Sequence, residues 1–145
     1  MHRLALICVC ACLLLPLASR AQKPEEDCFD KAVTQADLND CAGEQLAAAD
    51  AELNRVYKAI LEKYKADALF VEKLRAAQRA WLTFRDAEIE AKYPHTKEPG
   101  FYGSSIRMCD PLYRVQLIQE RIKKLREWLD GSEEGDVCSG SVDVK

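Results

Sequence analysis

Histidine is scarce. The 145-residue chain has two, and one of them, His2, lies at the extreme N-terminus. With His95 the only other, and no C-x-x-C anywhere, a zinc site of the usual Cys/His spacing is not expected. No apolar run reaches the roughly 20 residues that span a bilayer. Runs of Lys or Arg are missing too, so the phosphate neutralisation on which nucleic-acid affinity rests has no source. No glycine-rich loop precedes a basic helix start, and no G-x-S-x-G surrounds Ser104 or Ser105. The 24 acidic residues are scattered without a privileged pair for acid–base work. These absences predict a non-enzyme with no cofactor, no metal and no small-molecule substrate. No segment alternates with period 2 and no internal repeat occurs, which leaves helices as the regular structure.

Residues 1–21 read as a secretory signal peptide. Arg3 supplies a positive start, "LALICVCACLLLPLA" is an uncharged apolar stretch, and Ser19 and Ala21 are small residues at the −3 and −1 positions of a cleavage site. Cleavage after Ala21 would deliver a periplasmic or secreted protein. A lipid anchor on Cys10 or Cys12 is the competing reading; the apolar stretch before either is very short, and membrane association is expected only if the chain is lipidated. Loss of Arg3 and Arg20 would take the formal charge from −3 to −5. An acidic protein of this kind favours encounter with a basic macromolecule.

Cys8, Cys10 and Cys12 leave with the leader, and Cys28, Cys41, Cys109 and Cys138 remain. An even number in an exported chain reads as two disulfides. Three connectivities are possible. The economical one joins Cys28 to Cys41 and Cys109 to Cys138, each closing a modest loop beside a helix end.

Three stretches carry helical periodicity: Leu46, Ala49, Leu53, Val56 and Ile60; Phe70, Leu74, Ala77, Trp81 and Phe84; and Val115, Ile118, Ile122, Leu125 and Leu129. Each forms one apolar stripe that must be buried against others. The expected fold is all-α, a small antiparallel three-helix bundle with a short extra turn near Pro24, stapled by two disulfides. Thr34 with Asp37 resembles a capping box for a first helix running to about Tyr64, with Gly43 as a weak point. Asp67 can cap the second helix, which should stop before Pro94. Asp110 followed by Pro111 reads as the start of the third, and Gly131 as its end. The domain is expected over 22–130, with 131–145 as an acidic tail pinned by Cys138.

Within "AAQRAWLTFRD" (76–86), Trp81 and Phe84 fall on the stripe as core aromatics. Gln78 and Arg85 flank it. On the first helix, Asp50, Asn54 and Tyr57 run along the margin of its own stripe, which suggests an interhelical Asp50–Arg85 pair. The one long irregular segment, "YPHTKEPGFYGSSIRMC" (93–109), is of a length usually functional or disordered, and its aromatics argue against disorder.

The order "DCFDKAVTQADLNDCA" (27–42), "ADAELNRVYKAI" (49–60), "LRAAQRAWLTFRDAE" (74–88), then a Gly-containing loop, Cys109 and a closing helix, resembles the LprI-type lysozyme-inhibitor domain family of exported bacterial proteins. The match spans roughly residues 28 to 126. The family pattern usually has a cysteine just after "FRDA", where this chain reads Glu88-Ile89-Glu90; Cys138 in the tail then implies a changed partner for Cys109. The resemblance implies a small helical protein of the periplasm that binds and blocks lysozyme. Many lysozymes are strongly basic, and their cleft works through two carboxylates. The 93–108 loop offers His95, Lys97, Arg107, Ser104 and Ser105 as donors to such acids, with Tyr93, Phe101 and Tyr102 as aromatic anchors; alternatively these rings cap the open end of the bundle. A different class of function remains: an envelope adaptor or structural module with no lysozyme target.

Overall fold

The computed structural model describes residues 28–145, so the leader and the Ala21 cleavage site read from the sequence lie outside the described residues. The described chain is all-helical: α1 (Cys28–Lys31), α2 (Gln35–Lys63), α3 (Ala68–Lys92) and α4 (Ile106–Asp130). No helix among these residues is long and apolar enough to cross a membrane.

The helix starts follow local chemistry. Thr34 Oγ1 accepts from the Asp37 amide at 3.2 Å, and the Asp37 carboxylate accepts from the Thr34 amide at 2.7 Å. That reciprocal pair is a capping box in which Asp replaces the longer Glu, and the Thr34 backbone bond holds the Asp37 carboxyl below its ordinary pKa. α2 then continues unbroken through Gly43. Asp67 caps α3 by accepting from the Phe70 amide at 2.9 Å. The start of α4 corrects the sequence reading. The Cys109 amide already donates to the Ser105 carbonyl at 2.9 Å, so a helical turn closes before Asp110, whose carboxylate pairs with Arg114 one turn on instead of capping. Pro111 lies inside the helix, where it forfeits one backbone hydrogen bond near the open N-terminal end.

α2 and α4 form the close pair and run the same way, their C-terminal ends meeting through Tyr64 and Trp128; α3 returns alongside α4 and stands off α2. Val56, Ile60 and Ile118 are fully buried and Leu125 is 1% exposed. Burying each such side chain contributes about 1.5–3 kcal/mol. At the C-terminal end of α2 the core closes with Tyr64, Phe70 and Trp128.

On α3 the buried line differs from the apolar one. Leu74, Gln78 and Ile89 are its buried residues, with Trp81 and Arg85 half-buried between them. Ala77 is exposed, and Phe84, expected in the core, is 55% exposed. The helix is rotated so that polar Gln78 and Arg85 occupy the seam, a place that an apolar-only pattern assigns to Ala77 and Phe84.

Among the described residues one disulfide is present, not two. Cys28 and Cys41 are bonded, with Cα atoms 5.8 Å apart, and the bond ties α1 to α2. Cys109 and Cys138 are free thiols. They lie at opposite ends of α4: the helix from Cys109 to Asp130 spans about 30 Å, against the roughly 7 Å limit on Cα separation in a disulfide.

The tail stays at the far end without help from Cys138. The Ser132 amide donates to the Asp143 carbonyl at 2.8 Å, and the Lys145 amide to the Ser132 carbonyl at 3.0 Å. The Asp143 amide donates to Tyr64 Oη at 3.2 Å, and the Asp143 carboxylate meets Lys63 Nζ at 3.1 Å. Gly131 makes the turn with φ 78° and ψ 168°, a backbone region open essentially to glycine.

Candidate functional site

The loop joining α3 to α4 is built from consecutive turns. Amide-to-carbonyl bonds run from Glu98 to His95 at 3.0 Å, from Phe101 to Glu98 at 3.2 Å and from Gly103 to Gly100 at 3.0 Å. Gly100 and Gly103 supply the left-handed conformations, with φ 78° and 67°. The loop therefore has its own backbone order.

Its rings form a continuous chain of contacts, one of them stacked and the others edge-to-face. The His95 imidazole lies on Phe101 with centroids 4.3 Å apart and planes 23° from parallel. Phe101 meets Tyr102 at 4.8 Å, Tyr102 meets Tyr93 at 5.6 Å, and Tyr93 meets Tyr113 of α4 at 6.3 Å. The base of the stack is fixed by hydrogen bonds: Tyr93 Oη donates to the Cys109 carbonyl at 3.4 Å, and Tyr113 Oη to Glu88 at 3.3 Å. Burial, above all, raises the pKa of both phenols, so they stay neutral donors. The tip is open, with the Phe101 ring 56% exposed.

The polar residues surround that tip. His95 Nδ1 lies 2.6 Å from Glu98 Oε1, and the His95 amide donates to Tyr102 Oη at 3.3 Å. Ser105 Oγ donates to the Tyr102 carbonyl at 3.3 Å. Ser104, Lys97 and Arg107 are exposed, and neither of these two cations has an ion-pair partner among the described residues. The loop thus brings together Tyr93, His95, Phe101 and Tyr102, and leaves Lys97, Ser104 and Arg107 on its rim.

The remaining residues singled out in sequence lie on a second, polar seam. Arg85 donates to Asp86 at 2.7 Å and its guanidinium sits 4.0 Å from Asp50. Trp81 packs at the edge of the core, between the guanidinium groups of Arg85 at 5.6 Å and Arg121 at 5.7 Å from its ring. Arg121 Nε donates to buried Gln78 at 3.0 Å, and burial lowers the Arg121 pKa. Arg114 bridges Asp110 and, at 3.9 Å, Asp86. Phe84 belongs to neither the core nor the loop.

Sequence reasoning missed Lys92, Tyr113, Arg114 and Arg121. Lys92 Nζ sits 3.5 Å from the Tyr113 ring centroid, a cation–π contact at the base of the stack. Arg114 and Arg121 carried a signal, since 114, 118, 121 and 125 step by four, three and four along one face of α4. Tyr113 carried none, because its partner Tyr93 comes from the loop that follows α3.

A family model described as "Lysozyme inhibitor LprI" matches residues 28–125. An uncharacterized protein of Rhizobium meliloti (strain 1021) is 33% identical over 126 residues, covering 79% of this chain and 87% of the relative. No solved structure matches the chain significantly. The family match takes in α1, the disulfide, the polar seam, the ring-stacked loop and nearly all of α4, and on that extent the chain belongs to the LprI lysozyme-inhibitor family.

Proposed function

We propose that this protein binds and inhibits lysozyme, with the 93–108 loop entering the catalytic cleft. The observation that carries the reading is the Phe101 ring, more than half exposed yet braced on both sides by His95 and Tyr102. Holding an apolar ring in water is unfavourable unless a partner covers it, and a ring already ordered loses little entropy on binding. Around it, Lys97 and Arg107 are cations without an ion-pair partner among the described residues, and Ser104 and Ser105 add hydroxyls. A lysozyme cleft presents two carboxylates flanking the scissile bond, and this rim is complementary to them. The chain as a whole is formally −3, which steers it toward a basic enzyme at low ionic strength. In this reading the protein acts in the periplasm or outside the cell, and it protects peptidoglycan by occlusion without chemistry of its own.

The test is a titration of the purified protein into a panel of basic lysozymes, reading lysis of cell walls. Inhibition that saturates at a stoichiometric complex is expected. Undiminished lysis across the panel at micromolar protein would leave an envelope adaptor as the better reading. Changing Lys97 or Arg107 to Glu should weaken inhibition without lowering the melting temperature.

A further inference from the structure

The opposite problem arises on the α2–α3 side, where the helices stand apart. A groove of about 550 Å³ runs between them, and a second of about 310 Å³ continues it toward the α2–α3 turn. The two share Arg75 and Arg79 as walls. The floor of the larger one is apolar: Leu53 is 4% exposed, and Tyr57, Leu61 and Leu82 lie along it. Arg85 closes the far end, beside the Trp81 ring.

The charges here have the sign opposite to that of the chain. Asp50 is the one acid lining the larger groove; it and Asp86 engage Arg85, and Arg75 and Arg79 stand against no acid of the lining. In the smaller one Lys65 is engaged by Glu62 and Glu72 by Lys73, which leaves Arg75 and Arg79 as its uncompensated charges. Arg75 and Arg79 are exposed, and neither has an ion-pair partner among the described residues. Two unpaired guanidinium groups one helical turn apart, above a strip of aliphatic and phenol surface, offer bidentate sites for carboxylates and a hydrophobic bed between them.

We propose that this groove is a second binding site, for an acidic peptide segment that alternates carboxylate and aliphatic side chains. Guanidinium forks would hold the carboxylates, and Leu82 and Tyr57 the aliphatic groups. The site is separate from the loop and takes a partner of the opposite charge class, so one protein would hold a basic enzyme at one end and an acidic segment along one flank.

The test uses the full exported chain and a fluorescein-labelled peptide of sequence Glu-Leu-Asp-Glu-Leu-Glu, read by anisotropy. Saturable binding is expected, with none for the Lys-Leu-Lys-Lys-Leu-Lys counterpart. Arg75→Gln with Arg79→Gln should weaken it about tenfold. Both side chains are solvent-facing and Gln keeps helix propensity, so circular dichroism should be unchanged. Leu82→Asp should weaken binding as well. No saturable binding to the unaltered protein, or unaltered affinity in the arginine variant, would overturn the proposal. Inorganic phosphate binding as tightly as the peptide would also overturn it, by showing an anion site indifferent to the apolar floor. The peptide titration stands whether or not the protein inhibits lysozyme; should it inhibit, the arginine variant is expected to inhibit undiminished, and loss of inhibition would assign the groove to lysozyme instead.

Discussion

Two aromatic clusters sit at opposite ends of this bundle, and they are built differently. At the lower end Tyr64 and Phe70 lie 4.5 Å apart, and Phe70 and Trp128 4.7 Å. Tyr64 is 8% exposed. Its hydroxyl donates to the Trp128 carbonyl at 3.1 Å and accepts from the Asp143 amide at 3.2 Å. Three helices and the tail therefore meet on one phenol. At the upper end the rings run outward along a loop, and Phe101, braced only by His95 and Tyr102, stays more than half exposed. The same residue types close a core in one place and present a surface in the other. What distinguishes them is whether core lies behind the ring and whether its polar atoms are used by the fold.

The comparison can be broken most forcefully at the lower end. Tyr64→Ala removes a buried ring and its hydroxyl bonds, and should cost about 3–5 kcal/mol in chemical denaturation. It should also release the tail, seen as faster amide exchange at Asp143. Separating Cys28 from Cys41 by Cys28→Ser with Cys41→Ser should cost about 2–4 kcal/mol and fray α1, whereas Cys109→Ser with Cys138→Ser should leave the melting temperature nearly unchanged. Thiol titration of the unfolded, unreduced protein sharpens this by finding Cys109 and Cys138 reactive. Gly131→Ala places a Cβ 2.9 Å from the Asp143 carbonyl oxygen in a backbone conformation that suits glycine, and about 1–3 kcal/mol should be lost.

A smaller effect joins α2 to α4. Glu52 accepts from Arg55 and, across the helix pair, from Arg126 at 2.6 Å. These bonds, those of Arg55 first, pull its pKa down to about 2 from 4.5. A depressed carboxyl pKa gives stability that is fully present above the unfolded value and lost as pH falls through the folded one. Glu52→Gln should therefore lower the melting temperature at pH 6, and the gap from the unaltered protein should close between about pH 4.5 and 2. The smallest effect on stability belongs to the upper cluster: Phe101→Ala should shift it by no more than about 0.5 kcal/mol.

The starts of α2 and α3 were legible in the sequence because they are set locally; that of α4 was not, because a turn closing on the Ser105 carbonyl precedes Asp110. Thr34 and Asp37 satisfy orphan amides within one turn, as does Asp67, and the stripes of α2 and α4 are apolar throughout. α3 was misread at Phe84 because its seam contains Gln78 and Arg85, which reach Arg121 and Asp86 and so can be buried, something residue polarity alone does not reveal. The Cys109–Cys138 pairing failed for a geometric reason. Spacing along the chain says nothing of distance when a rigid 25-residue helix intervenes. At the loop, composition pointed to aromatic anchors. The stacking order of His95, Phe101, Tyr102 and Tyr93 depends on turns made by Gly100 and Gly103, and its base on Tyr113 and Lys92 from flanking helices.

The account stands most directly on one titration: lysozyme inhibition by the unaltered protein beside Phe101→Ala. Truncating an interface anchor typically costs at least about 2 kcal/mol, roughly thirtyfold in affinity. The account predicts a loss of that size at an unchanged melting temperature. Inhibition that survives Phe101→Ala at full strength, or that falls only in step with stability, would contradict it.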